Sequence, residues 1–432
     1  MRVPLLGLVV ALSSVVSCSS AKNESGFTTP PSGNGNGATT EPSGDAGNGL
    51  GTSNGNPPPV LGGGGVGPAD AGTTTTTTDG GFVCVKNTSQ YDIPGNNCDD
   101  DDDGKVDNVL VCDGSLTAAG VAGDFLSAMG VCRVSTDTSH WGVVSASYTN
   151  GHSQTTAGPD NFAEQHGILS TFGSVIVPRE GYAFGVLSSG SASATDSDTG
   201  PYFKGEKNGM QSTSGDVPTG FPKSSATCPV ADDVNDVIDL KVQIRVPTNA
   251  KGLSFDFDFW SGEWPDYVCS SFNDSFIAYL SSAAFNGGTP DNISFDTNGN
   301  AINVNSDFFG ACTPGVQTGC MGGTTATSTC SDGPGELAGT GFAAVSPTPL
   351  IYCGSKTTGK ASTSGGATSW LTSQAPVQPG EVITIEFLIW DTGDNSYDSS
   401  VILDNFTWVP DPLPPVPITV PSPPPPPPPP PK

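Results

Sequence analysis

Basic residues are scarce in this sequence, which limits the partners that the protein can have. Its 432 residues include 15 Lys and Arg against 43 Asp and Glu, so the formal net charge is −28 at pH 7. A surface of this charge repels phosphate backbones, and we therefore expect no nucleic-acid partner. Divalent cations are the ligands that it attracts. Only three histidines are present, so a histidine-rich transition-metal site is not expected.

Closely spaced cysteine pairs are also missing. No CxxC pair occurs, which argues against zinc ribbons and thioredoxin-like redox sites. Setting Cys18 aside from the 11 cysteines leaves an even set of ten. Such a set predicts disulfides formed in an oxidising compartment, with the pairing left open. The ten are Cys84, Cys98, Cys112, Cys132, Cys228, Cys269, Cys312, Cys320, Cys330 and Cys353.

No apolar stretch after residue 18 is long enough for a transmembrane helix. The chain begins MRVPLLGLVVALSSVVSCSS, a positive charge followed by a short apolar run, as in a signal peptide. The small residues around Cys18 resemble a bacterial lipobox. We predict a lipoprotein signal peptide over residues 1–17 and a lipid on Cys18, with ordinary secretion as the alternative. Ser19 then favours the outer membrane, so we expect a lipid-anchored protein exposed at the cell surface.

Two regions lack the residues that build a hydrophobic core. Residues 18–81 are almost entirely Gly, Asn, Pro, Ser, Thr and Ala. Such a segment cannot bury enough apolar surface to offset its conformational entropy, which predicts a disordered tether. Residues 411–432 end in a proline run that favours extended polyproline II. We interpret this proline-rich tail as a spacer, with a ligand for an aromatic groove as the alternative.

The middle of the chain is dominated by strand patterns. LKVQIRV (240–246) and LSFDFDF (253–259) alternate apolar and polar residues, which predicts half-buried antiparallel strands. VITIEFLIW (382–390) is apolar on both faces, as expected of a central strand. Only LTAAGVAGDFLSAMG (116–130) looks helical. We therefore predict an all-β fold over 115–410, an antiparallel β-sandwich of jelly-roll type with one short helix.

A Cys-flanked acidic segment, 82–114, precedes this domain. NNCDDDDDGKVDN places carboxylates at alternate positions before a glycine, the spacing with which calcium loops begin. Leu110 occupies the position at which an EF-hand needs Glu, so this is no EF-hand. We predict a calcium site, with a solvated acidic loop as the alternative. The predicted ligands are Asp99, Asp101, Asp103 and Asp107.

Further carboxylates follow two predicted strands more than a hundred residues apart. Because loops cluster at the ends of a sandwich, their oxygens could converge on one calcium ion. The alternative is that they only supply hydrogen bonds in turns. These residues are Glu263, Asp266, Asn273, Asp274, Asp391, Asp394 and Asp398. Nearby, Trp260, Trp264 and Tyr267 could stack on sugar rings, although aromatics beside strands more commonly belong to a core.

Three separated segments resemble one known domain family. They are HGILSTFGSVIVPREGYAFGVLSSGSA (166–192), SGEWPDYVCSSFNDSFIAYLS (261–281) and DTGDNSYDSSVILDNFTW (391–408). In this order they resemble the choice-of-anchor L domain of bacterial exported proteins. The resemblance implies a β-rich extracellular domain held at the cell surface, and implies no known activity. The run IPGNNCDDDDDGKVDN (93–108) is similar to a metal-binding motif of bacterial surface lipoproteins.

These features predict a non-catalytic, calcium-stabilised surface lipoprotein that serves adhesion or surface structure. Its expected partners are outer-membrane lipid, through the N-terminal cysteine, and glycans or proteins of the cell surface or matrix. No spacing ties a histidine to a nucleophile, so the sequence supports no enzyme. A carbohydrate-binding module is the first alternative. A secreted hydrolase with two carboxylates is the second.

Overall fold

Antiparallel β-strands make up most of the described chain in the computed structural model. The structure describes residues 84–108, 110–154, 164–192, 215–223, 225–342, 353, 365–394 and 396–423. Cys18, the predicted tether and the end of the proline-rich tail lie outside these residues. The strands are β1 (Gly142–Thr149), β2 (His166–Leu169), β3 (Phe184–Ser188), β4 (Val234–Arg245), β5 (Gly252–Ser261), β6 (Ser275–Ser281), β7 (Asp291–Asn292), β8 (Ile302–Asn303), β9 (Gln317–Thr318), β10 (Ala326–Thr327), β11 (Gly366–Ala367), β12 (Leu371–Pro376), β13 (Val382–Thr392), β14 (Ser399–Val409) and β15 (Ile418–Pro421).

The longer strands form two sheets, in agreement with the predicted all-β sandwich. The first has the order β1-β4-β13-β6-β7, with β8 also paired to β6. The second has the order β15-β12-β5-β14-β3-β2, with β11 also paired to β5. Strands β9 and β10 form a separate small hairpin. Strand β13 lies between β4 and β6, which confirms its prediction as a central strand.

Apolar residues alternating along four strands create the core between the two sheets. Each of these strands contributes every second side chain, so one face of each sheet is continuously apolar. The edge of the Phe255 ring meets Phe387 from the facing sheet, with centroids 5.1 Å apart. The fully buried members from β4, β5, β13 and β14 are Ile238, Leu240, Val242, Ile244, Leu253, Phe255, Phe257, Phe259, Ile383, Ile385, Phe387, Ile389, Val401 and Leu403.

Strand β5 differs from its predicted half-buried character, because both of its faces are buried. On the outer face, Asp256 is paired with Arg179, whose Nε lies 2.5 Å from a carboxylate oxygen. Further along the same face, Trp260 packs against Phe172 and Phe342 in a second apolar cluster. The period-two pattern indicated the strand correctly, but a local pattern carries no information about what covers the polar face. By contrast, β4 keeps the predicted half-buried pattern from Leu240 to Arg245, although residues 236–240 are buried on both faces.

The helix and the proline-rich tail both differ from their predictions. The helical pattern forms α1 (Ala122–Ala128), the one α-helix among the described residues. No helix in the described part of the chain is long and apolar enough to cross a membrane. The predicted spacer contributes β15, which pairs with β12 and so extends the second sheet. The first part of this tail is therefore structural.

Five disulfides confirm the prediction that the ten cysteines are paired. The bridge Cys112–Cys132 ties the acidic segment to the chain that follows α1, and Cys84–Cys98 closes the acidic segment itself. The remaining bridges are Cys228–Cys269, Cys312–Cys330 and Cys320–Cys353. Covalent closure at these loops limits the freedom of the unfolded chain and so favours the folded state.

Candidate metal sites

The acidic segment is held against one end of the sandwich by buried polar contacts. The Tyr91 hydroxyl donates a hydrogen bond of 3.0 Å to the carbonyl of Trp408 on β14. Asn249 exchanges two hydrogen bonds with the backbone of Tyr91, at 3.1 and 2.8 Å. These contacts, together with the disulfides, fix the position of the loop that carries the aspartates.

Three of the aspartates in this segment come together. Asp92, Asp99 and Asp101 each offer a carboxylate oxygen within 4.8 Å of the others, and they are the one such group of three among the described residues. All three are largely buried: Asp99 is 3% exposed and Asp101 is 5% exposed. An arrangement of hard oxygen ligands at this spacing suits calcium.

The predicted ligand set is only partly assembled. Asp103 is exposed and accepts hydrogen bonds from the Lys105 amide (2.8 Å) and the Asn108 side chain (3.1 Å). Asp107 accepts a hydrogen bond from the Asn97 amide at 3.1 Å. The structure therefore brings together Asp99 and Asp101 but leaves Asp103 and Asp107 outside the group.

Asp92 takes the third place in the group, and the sequence analysis missed it. Its Oδ1 accepts the amide of Asp100 at 2.7 Å, and its Oδ2 accepts the amide of Asn108 at 3.1 Å. The Pro94–Gly95 turn folds Asp92 back onto the aspartate run. That turn is the feature of the sequence that could have pointed to it.

Two basic side chains already contact this group. Lys86 forms an ion pair with Asp99, and Arg133 Nη2 lies 2.6 Å from Asp101 Oδ2. The hydrogen bond and charge of Lys86 lower the pKa of Asp99. Burial raises the pKa of Asp101, against the opposing charge of Arg133. The Lys86 side chain is 48% exposed, so solvent weakens its ion pair with Asp99.

The second acidic region lies where the three segments of the family resemblance meet. Ser189, in the first segment, donates its amide to the Ser399 carbonyl (3.0 Å) and accepts the Ser399 amide on its hydroxyl (2.9 Å). Gly262, in the second segment, donates its amide to the Asp398 carbonyl at 3.0 Å. Segments far apart in the chain are thus hydrogen-bonded to one another at the ends of β3, β5 and β14.

Glu263, Asp274 and Asp391 approach one another at this point. A Glu263 oxygen accepts the Asp274 amide at 3.2 Å. The two oxygens of Asp274 accept the Thr392 amide (3.2 Å) and the Ser399 hydroxyl (2.7 Å). All three carboxylates are at most 2% exposed. We call Glu263, Asp274 and Asp391 the buried acidic cluster.

Asp391 differs from the other two members of the cluster. The groups that face Asp391 are side chains, the Ser189 hydroxyl and the Asp274 carboxyl. Glu263 and Asp274 each accept a backbone amide instead. Burial, followed by the negative charge of Asp274, raises the pKa of Asp391 well above its usual range. Burial also raises the pKa of Glu263 and of Asp274. These three carboxyls therefore retain their protons to higher pH than exposed carboxyls do.

The other predicted oxygens have separate partners. Asp266 accepts the Cys353 amide at 2.8 Å, which binds it to the cysteine-rich insert. The Asn273 side chain donates to the carbonyls of Pro229 and Ser270, at 2.8 and 2.7 Å. Asp394 accepts the Ser396 amide at 3.0 Å. The contacts of Asn273 with Ser270 and of Asp394 with Ser396 are turn hydrogen bonds, the alternative considered from the sequence. The contacts with Cys353 and Pro229 join segments far apart in the chain.

Asp398 lies beside the cluster in a position that depends on a glycine. A Cβ atom on Gly190 would lie 1.7 Å from Asp398 Oδ2. Only a residue without a side chain therefore fits against this carboxylate. Asp398 itself is fully buried.

The predicted stacking platform is not at the surface. Trp260 is 0% exposed and Trp264 is 3% exposed, so neither ring offers a face to a sugar, and for these two residues the prediction is wrong. They fill apolar clusters because the second sheet is covered on its outer side. Tyr267 is half-buried, with its ring 5.2 Å from Tyr397 and 5.7 Å from Phe272.

Comparison with known families agrees with this architecture. The family model of the choice-of-anchor L domain matches residues 143–407, more than half of the chain. The match runs from β1 to β14 and includes the buried acidic cluster, whereas Asp92, Asp99 and Asp101 precede it. No curated protein matches the chain, and no solved structure does.

Proposed function

Because this chain belongs to the choice-of-anchor L domain family, we propose that it is a non-catalytic surface lipoprotein serving adhesion or surface structure. The family domain supports a place at the cell surface. The lipobox-like residues around Cys18 supply the anchor in this proposal, and the Gly- and Thr-rich tether carries the sandwich away from the outer membrane. The disulfides suit an oxidising location outside the cytoplasm.

Calcium has a structural role in this proposal. The observation that carries it is the convergence of Asp92, Asp99 and Asp101 within 4.8 Å. A calcium ion would replace the ammonium of Lys86 and bind the carboxylates that otherwise repel one another. Because Tyr91 ties the segment to β14, ordering the loop would also stabilise the contact between the loop and the sandwich.

Membrane fractionation tests the anchor. In a host that processes lipoproteins, the natural chain should be found in the membrane fraction and be cut by protease added to intact cells. Cys18→Ser should leave a soluble or unprocessed chain. An unchanged distribution of the variant would contradict lipid anchoring.

Calorimetric titration of the full-length chain tests the calcium loop. Extracellular calcium sites typically bind at ~10⁻⁴–10⁻³ M. Asp92→Asn with Asp99→Asn should remove this binding. Asp107→Asn should leave it unchanged, because Asp107 lies outside the group of three. Equal binding by both variants would refute the assignment.

A carbohydrate-binding function is the second candidate, at a different place from the one predicted. A groove of about 520 Å³ contains the half-buried ring of Trp370, with Asp332, Ser369 and Ser422 beside it. An aromatic face among hydroxyl and carboxylate groups is a common arrangement for sugar recognition. On a glycan array, binding that disappears in Trp370→Ala would favour this function. Binding retained by that variant would count against the groove.

A further inference from the structure

We propose that a cavity between the acidic segment and β14 binds a small organic cation of the trimethylammonium type. The proposal rests on three observations. The cavity has aromatic walls, its polar lining is negative, and two of its lining residues already hold a guanidinium group. The proposal goes beyond the surface role given above and does not depend on it.

The cavity is built from parts of the chain that are joined to one another. Tyr91 lines it from the acidic segment, Val131 from the chain that follows α1, and Trp408 from β14. The hydrogen bond from the Tyr91 hydroxyl to the Trp408 carbonyl joins the first and the last of these parts. The disulfide Cys112–Cys132 joins the acidic segment to the second. The cavity is therefore formed before any ligand binds.

Its size and its position suit a small solute. The volume is about 140 Å³. A cavity of about 150 Å³ admits a molecule the size of benzene, and a trimethylammonium group is of similar size. Pro94 and Leu110, which also line the cavity, are exposed to solvent. A solute can therefore reach the cavity from water.

The first observation is the aromatic lining, which consists of Tyr91, Trp141, Phe406 and Trp408. The rings of Trp141 and Trp408 are nearly perpendicular, at 88°, with centroids 6.4 Å apart. The rings of Phe406 and Trp408 meet at 85°, with centroids 5.2 Å apart. Aromatic rings attract cations through their electron-rich faces, and several rings together form the cages that bind quaternary ammonium groups.

The second observation is the charge of the polar lining. Asp92 and Asp101 lie in the wall, and the described lining residues include no Lys, Arg or His. Asn108 also lines the cavity, and its Nδ2 donates to Asp103 at 3.1 Å. Its Oδ1 is buried and accepts no hydrogen bond from the described residues. Because buried polar atoms are nearly always satisfied, this oxygen and the two carboxylates favour a positive ligand.

The third observation is the position of Arg133 at the border of the cavity. Its guanidinium carbon lies 5.2 Å from the centroid of the Trp141 ring, and its Nη2 lies 2.6 Å from Asp101 Oδ2. Trp141 and Asp101 both line the cavity. A carboxylate and an aromatic ring of this lining thus already hold an organic cation.

The lining suits an alkylammonium ion better than a metal ion. The methyl groups of such an ion gain free energy when they leave water for an apolar wall. A calcium ion needs six to eight oxygen ligands, which the aromatic rings do not supply. The chemical class of the ligand is therefore an organic cation with an apolar surface.

Choline tests the proposal, because dimethylbutanol keeps its shape and replaces the charged nitrogen with carbon. Each compound is titrated into the full-length chain and followed by saturation-transfer NMR. Saturation of aromatic protons should reach the N-methyl protons of choline, with binding that saturates at millimolar concentration, and dimethylbutanol should bind about tenfold more weakly. Calcium-free buffer keeps the result independent of the calcium loop, which shares Asp92 and Asp101. Equal binding of the two compounds, or no transfer to choline, would overturn the proposal.

Two tryptophan variants assign the binding to this cavity. Trp141→Leu removes one aromatic wall and should weaken choline binding by about tenfold. Trp370→Leu is the matched control, because Trp370 is also half-buried, lies 5.5 Å from the guanidinium of Arg179 and is outside the cavity. It should bind choline as the natural chain does. The same affinity in both variants would show that choline binds elsewhere. If Trp141→Leu does not fold, the comparison of choline with dimethylbutanol on the natural chain still decides.

Discussion

The Ser399 hydroxyl donates a hydrogen bond of 2.7 Å to Asp274, although the two residues are 125 positions apart in the chain. Ser399 begins β14 in the second sheet, and Asp274 directly precedes β6 in the first. The bond therefore joins the two layers of the sandwich at the end where the buried acidic cluster lies. Disturbing the groups around this bond should therefore affect stability.

Gly190→Ala should destabilise the protein. The added Cβ would lie 1.7 Å from Asp398 Oδ2, so the carboxylate must move within a fully packed interior. Overpacking of this kind costs ~1–3 kcal/mol, measurable by urea denaturation. Gly123→Ala in α1 is the control, because its Cβ meets no atom within 4 Å and alanine favours helix. Equal stability of the two variants would show that Asp398 can move freely.

Removing the charge of Arg179 should destabilise the second sheet. Arg179 is 10% exposed at its side chain and pairs with Asp256, which is 3% exposed. Arg179→Met keeps much of the side-chain volume but leaves a buried carboxylate without its partner, which typically costs ~3–5 kcal/mol. Thermal unfolding should show a clear decrease in Tm. Lys105→Met, at an exposed ion pair, should have little effect.

Asp258→Asn should change how stability depends on pH. Burial and the charge of Glu336 raise the pKa of Asp258 well above its usual range. The unfolded chain releases this proton near pH 4, whereas the folded chain retains it to higher pH. The natural protein therefore loses stability as pH rises above about 4, towards the raised pKa. Asn cannot ionise, so the variant should gain relative stability between acidic and neutral pH.

Urea denaturation at several pH values measures this difference. Asp137→Asn is a useful comparison, because hydrogen bonds from Ser139 and His140 lower the pKa of Asp137. Asp137→Asn should therefore lower the free energy of unfolding relative to the natural protein. The full loss is expected above the pKa of Asp137 in the unfolded chain, and the loss should disappear in acid. If the free energies of unfolding of the natural protein and of Asp258→Asn differed by the same amount at every pH, the raised pKa of Asp258 would be contradicted.

The disulfides should contribute a large part of the stability. Each bridge typically contributes ~2–4 kcal/mol, so a reducing agent should lower Tm markedly. Alkylation without reduction should modify no thiol among the ten cysteines. Peptide mapping should then recover Cys112 linked to Cys132, and Cys320 linked to Cys353. Modified thiols or different links would show that the assigned pairing is wrong.

Three strands could be predicted from the sequence, in 240–246, 253–259 and 382–390, because alternation of apolar residues is a local property with a fixed period. Strand β4 and the central strand β13 follow directly from it. The even set of cysteines likewise indicated full pairing. The choice of partner for each cysteine required the fold, since the closure of a loop depends on which strands are neighbours.

Which carboxylates meet depends on the fold and could not be predicted from the sequence. Asp92 joins Asp99 through a turn, while Asp103 in the same run points elsewhere. Asp274, directly before β6, lies beside Asp391 on the neighbouring strand β13, whereas Asp266, close to Glu263 in sequence, contacts the cysteine-rich insert. Strand order and the covering of each sheet face set these contacts. Both depend on contacts between residues far apart in the chain, and local periodicity carries no information about such contacts.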